Sequence, residues 1–280
     1  MNKKIALVTN VLDYVGPPAV KALLKGGYDV IAQDPAFQDT NKEKEYKIIF
    51  PGTVPLGIKD PRELIQYVWD NNKKVDVLIS NDTFPAIHIP IEEANVEDLY
   101  ATIENVLVYP FKLMKCAIPR LKKQGSGNVI MVTSCRTELP LPGGAIPDIA
   151  RDGANALVKS LSIELAPFGI PVNAIAPNYL YSEAYFPKAK FVDDPIGRAF
   201  IKEVVPAGRL GEPEEIGELV TYLANMKGSF HTGTIIKFAG GWPAAPKRPI
   251  KKKPNRTEHV RLTASITSSG GLRPPGLDLT

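Results

Sequence analysis

Apolar residues arrive along this chain in two alternating textures. Short, nearly continuous apolar runs at 4–10 (KIALVTN), 28–34 (YDVIAQD), 75–80 (VDVLIS), 127–134 (GNVIMVTS), 171–178 (PVNAIAPN) and 233–241 (GTIIKFAGG) predict strands buried on both faces. Between them, apolar positions recur every three to four residues at 19–27 (AVKALLKGG), 61–72 (PRELIQYVWDNN), 96–124, 146–169 and 212–225, which predicts helices. Gly26–Gly27 and Asn71–Asn72 are helix stops, and Pro147 stands at a first helical turn, where a missing N–H costs nothing. The long stretch 96–124 reads as one helix with prolines inside it. Strands alternating with helices predict an α/β fold: a Rossmann-like, doubly wound parallel sheet covered by helices on both faces. Ligands in such sheets bind at the carboxyl ends of the strands. Those ends are Asn10, Asp34, Ser80–Asn81–Asp82, Ser134 and Pro177–Asn178, so the polar residues of interest already share one edge.

Composition narrows the classes. With 280 residues and 44% hydrophobic content the chain supports one sizeable core, taken as residues 1–243. No window approaches the roughly 20 apolar residues of a membrane helix, and MNKKIALVTN reads as a first strand rather than a leader, so the expected location is cytoplasmic. Cys116 and Cys135 are too few for a disulfide framework, and the three histidines lack metal-ligand spacing. The net charge of +4 is unevenly spread: from Trp242 onward there are eight basic residues against two acids, which leaves residues 1–241 at −2. Residues 244–280, rich in Pro, Ser, Gly and Lys, read as a basic and mostly disordered tail. Its KRPIKKKPNR segment could make weak contacts with nucleic acid, which is otherwise not an expected partner, nor is a membrane.

The turn after the first strand decides about a dinucleotide. Such turns use glycines so that backbone approaches the pyrophosphate. Here the turn reads TNVLDYVGPP, keeping only Gly16, with Leu12, Asp13 and Tyr14 in the phosphate space. Asp34 stands where an acid would bind a ribose hydroxyl, but one acid at a strand end is more often a cap. No cofactor is expected.

Four features together resemble the halohydrin dehalogenase family of the short-chain dehydrogenase/reductase superfamily, over about Lys4 to Gly241. They are the aromatic Tyr14 in the altered turn, LISND at 78–82, IAPNYL at 175–180, and Val106 where dehydrogenases carry an active-site asparagine, with Asn105 one residue off. The resemblance implies a cofactor-independent lyase that converts vicinal halohydrins to epoxides plus halide, or opens epoxides with an anion. It implies Ser134 as the residue holding the substrate oxygen and Arg151, seventeen residues on, as the cation that favours an ionised base. It implies a halide site at Pro177, Asn178, Tyr179 and Leu180, with Tyr14 and Asp82 also at the substrate or halide, and a homo-oligomer, dimer or tetramer.

The tyrosine base of that family falls on Pro147, which has no proton to move. Asp148 is the neighbouring ionisable group and the expected catalytic stand-in, with Arg151 as its partner, although a first-turn acid is often only a dipole effect. Tyr179, Tyr181 and Tyr185 follow the halide loop and could project a phenol into the pocket, against the plainer reading as wall or surface aromatics. Two further readings remain: a catalytically silent relative kept as a binding or assembly subunit, favoured by Pro147, and an NAD(P)-dependent oxidoreductase, which fits worst.

Overall fold

Seven parallel strands form one sheet in the order β3-β2-β1-β4-β5-β6-β7 in the computed structural model, which describes residues 3–245. The strands are β1 (Ile5–Thr9), β2 (Asp29–Gln33), β3 (Thr53–Leu56), β4 (Val77–Asn81), β5 (Val129–Val132), β6 (Val172–Pro177) and β7 (Ile235–Phe238). The order reverses between β1 and β4, which pair with Ala6 opposite Val77. This switch opens a crevice at the carboxyl ends. A compact unit runs through Ala244, and the basic tail lies outside the described residues.

Helices cover both faces because the strands are apolar on both. On one face α1 (Gly16–Lys25) and α8 (Pro213–Ala224) bring Val20, Leu23, Ile216 and Val220 onto Ala6, Val8 and Ile79. On the other, α3 (Pro61–Asn72), α5 (Tyr109–Gln124) and α6 (Ala145–Leu165) bring Leu64, Leu113 and Val158 onto Leu7, Leu78 and Met131. Leu7 and Leu78 are fully buried, each worth about 1.5–3 kcal/mol. A third, smaller cluster of Tyr179, Ile201, Leu210 and Trp242 sits beside the ends of β5 and β6, where α7 (Pro195–Val204) packs.

Three elements lie outside those the sequence predicts. β3 is a four-residue edge strand holding Pro55, α2 (Thr40–Ile49) buries only Tyr46, and α7 buries only Gly197 and Ile201. The stretch expected as one helix is broken into α4 (Val96–Ile103), a π turn over Glu104–Val108, and α5. Pro110 cannot donate to the carbonyl of Val106, and the ladder loosens there. The wide turn presents Val106 inward, 2% exposed, while Asn105 bonds its own helix at Ala101 O.

Candidate active site

A cavity of about 530 Å³ lies at the carboxyl ends of β4, β5 and β6. Ser134 enters it two residues beyond β5, donating its hydroxyl to Pro177 O at 3.2 Å and accepting from the Arg136 amide at 3.2 Å. Asn155, one turn beyond Arg151 on α6, donates to Ser134 O at 2.9 Å and fixes the strand end. Arg151 enters from α6 with 6% of its surface exposed. Both of its contacts go to uncharged groups: one arm donates to Asp82 O and the other to the Tyr185 hydroxyl, each at 3.0 Å. A guanidinium cannot shed its charge by losing a proton, so a buried one without an acid partner demands compensation.

Tyr185 owes its position to a tight turn. Ser182 and Phe186 close a bridge, and the Ser182 hydroxyl accepts from the Tyr185 amide at 3.2 Å. The turn points the phenol across the cavity, where it accepts from the Phe84 amide at 3.2 Å and donates to Phe84 O at 2.9 Å. Its ring meets the Tyr14 ring edge-on, centroids 4.8 Å apart. Tyr14 is held with φ 56°, and burial pushes its hydroxyl far above the usual phenol range. Tyr179, at φ 56°, stacks with Phe186 and Trp242, while Tyr181 turns out to Glu183. Asn10 (φ 49°), Tyr14 and Tyr179 are non-glycine residues in the left-handed region at strand ends, a strain of about 1–3 kcal/mol each that gathers at functional clefts.

Several expected site residues are placed differently. Asp148 is not against Arg151: its carboxylate pairs with Arg136, in the short turn after β5, at 2.6 Å, and does not line the cavity. Pro147 does line it, packed in the first turn of α6. Asp82 meets the site through its backbone carbonyl, while its carboxyl faces back to Ser80 at 2.6 Å and Asn10 at 3.4 Å. Burial lifts that carboxyl to about 7 against the opposing pull of Ser80 and Arg151. Of the four residues expected at a halide site, Leu180 turns away, 1% exposed in the core beside α8, because its backbone bridges Gly211. Pro177, Asn178, Tyr179 and Tyr14 line the cavity. Arg136, Phe84 and Asn155 were not legible as site residues; only a contact across the fold reveals them.

The turn between β1 and α1 is held by contacts within its own chain. Asn81 donates to Asn10 O and Asp13 O, which ties the turn to β4. Asp34 is consumed by its own chain, accepting from the amides of Leu12 and Ala36 at 3.2 and 3.0 Å. Burial raises its carboxyl above the usual range. Gly16 survives for packing: a Cβ there would lie 2.7 Å from the Val11 backbone. Among the described residues no group of three or more His, Cys, Asp or Glu is placed to hold a metal, and no helix is long and apolar enough to cross a membrane.

Fold and cleft together define a short-chain dehydrogenase/reductase. The sequence profile described as enoyl-(acyl carrier protein) reductase matches residues 21–243, so the chain belongs to that superfamily. Dehydrogenase/reductase SDR family member 4 of Homo sapiens is 28% identical over 86% of this chain and 88% of its own. A tropinone reductase homolog of Arabidopsis thaliana is 30% identical over 85% and 92%. Among solved structures, a halohydrin dehalogenase bound to ethyl (2S)-oxiran-2-ylacetate is similar with a TM-score of 0.85 and 33% identity, covering 88% of this chain and 100% of that one. A protein described as a dehalogenation enzyme follows with 0.83 and 32%, covering 86% and 98%. Sequence relatives thus carry oxidoreductase names, while these two similar structures carry dehalogenase names.

Proposed function

We propose that this chain interconverts vicinal halohydrins and epoxides without a nucleotide cofactor. One observation carries the reading: Arg151 is a buried fixed cation, facing a cavity it shares with Ser134, and its partners are a phenol and a carbonyl rather than an acid. An ionised base or a bound anion would answer that charge, and dehalogenation uses both. Support comes from the closed dinucleotide turn and from two similar structures with dehalogenase names. In this reading Ser134 turns its hydroxyl from Pro177 O toward the substrate oxygen, and the halide leaves beside Pro177, Asn178 and Tyr179. A dimer or tetramer belongs to the same reading. The test is bromide release from a simple vicinal bromohydrin in nucleotide-free buffer, with epoxide followed in parallel. Stoichiometric bromide and epoxide, unaffected by added NADP, are expected. Carbonyl reduction dependent on NADPH would replace the reading with an oxidoreductase. Inertness in both assays would favour the silent relative, which the proline at position 147 independently suggests.

A further inference from the structure

The proposed reaction needs a base, and the family's tyrosine position holds a proline. The titratable groups lining the cavity are Tyr14, His88, Tyr179, Tyr185 and the cations Arg136, Arg151 and Lys190. His88 has both ring nitrogens engaged, by Ala86 O at 3.1 Å and Arg136 at 3.0 Å. Tyr14 and Tyr179 are pushed toward the neutral phenol by burial. Lys190 rides over the Phe191 ring at 5.3 Å, on the exposed rim. Asp82 and Asp148 face away, to Ser80 and to Arg136. Among the described residues, Tyr185 is the one phenol bonded to a guanidinium, and a second N–H, from Phe84, converges on the same oxygen.

Resting on the reading above, we infer that Tyr185, supplied from the turn after the halide loop, is the general base of this cleft in place of the missing helix tyrosine. Arg151 reaches it across the cavity instead of along α6. Around its oxygen stand Arg151 on α6 and the backbone of Phe84 after β4; its ring meets the Tyr14 ring from the turn after β1, and the buried Asp82 carboxyl, bonded to Ser80, couples electrostatically to Arg151. The phenol now donates to Phe84 O. Once that proton has left to solvent, the two N–H donors hold the phenolate. The phenolate takes the proton of the substrate hydroxyl. The freed oxygen pair forms the new C–O bond at the neighbouring carbon, and the C–halogen bond breaks with its electron pair leaving on the halide. Return of the proton from Tyr185 to water closes the cycle, so one halohydrin gives one epoxide, one halide and one proton.

Full-length protein with Tyr185→Phe keeps the ring against Tyr14 and removes only the oxygen. Bromide release from the bromohydrin should fall by at least about a hundredfold in kcat, within the range a positioned base contributes, with KM changed little. The rising alkaline limb of the wild-type kcat–pH profile should be absent from the residual activity. Replacement of Tyr185 by 3-fluorotyrosine, nearly equal in size and more acidic, should move that limb to lower pH, so a folding defect cannot imitate the result. A folded Tyr185→Phe protein that keeps the wild-type rate, or a limb that 3-fluorotyrosine leaves in place, overturns the inference while the dehalogenase reading stands. A wild-type protein inert toward bromohydrins and toward azide opening of epoxides overturns both.

Discussion

The two sides of the switch point have gone opposite ways. On the β1 side the chain's own groups bond one another across the turn. Asn81 ties down the turn, Asp34 is taken by the amides of Leu12 and Ala36, and Tyr14 fills the wall. On the β5–β6 side a cavity of about 530 Å³ stays open, with Ser134 and Arg151 buried but aimed into it. There the Arg151 guanidinium bonds only uncharged groups, Asp82 O and the Tyr185 hydroxyl. The difference teaches that the two sides of the crevice can change independently, because different strand ends build them.

Predictions that sharpen the contrast begin on the open side. Arg151→Lys should lower bromide release by about 10²–10⁴-fold, since a single ammonium cannot reach Asp82 O and the Tyr185 hydroxyl as the guanidinium fork does. Steady-state rates check this, and a rate within threefold of wild type would break the account of Arg151.

Asp82 lies at the border of the two sides. Its folded carboxyl is raised to about 7 from 3.8, so its contribution to stability is present below about pH 4 and is lost as pH rises through about 7. Asp82→Asn removes that loss and should gain on wild type by up to about 4 kcal/mol between pH 4 and pH 8. Urea unfolding at both pH values measures it. A constant difference between the two proteins would show the carboxyl to be unperturbed.

The closed side should respond in stability and not in rate. Gly16→Ala drives a methyl to 2.7 Å from the Val11 backbone and should cost about 1–3 kcal/mol, or several degrees in Tm, with bromide release unchanged below the melt. The smallest effect is expected of Asp34→Ala. It frees two amides and should cost about 1 kcal/mol of cap energy, with no change in rate or in response to NADP. A rate loss in either variant would mean that the two sides are coupled.

How far the sequence foretold this follows from what each signal rests on. The β1, β4, β5 and β6 runs are buried on both faces, and continuous apolarity is a local property, so they were legible. β3 is an edge strand with Pro55, and the apolar residues of α2 are bunched at its last turn, so neither writes a period. Ser134 and Arg151 could be named through the resemblance to a known family, whose motif lies within one short stretch of chain. The Asp148–Arg136 pair and the Arg151–Tyr185 contact join residues 12 and 34 positions apart through turns whose direction no periodicity encodes. Tyr185 could be named among three tyrosines but not chosen, since the choice depends on the Ser182–Phe186 bridge that aims it.

The most direct test is one crystal of the full chain soaked with both bromide and NADP, measured at the bromine absorption edge. An anomalous peak is expected inside the cavity beside Pro177 and Tyr179, with the β1–α1 turn free of nucleotide density. Dinucleotide density with its pyrophosphate on that turn, and no bromide in the cavity, would contradict this expectation.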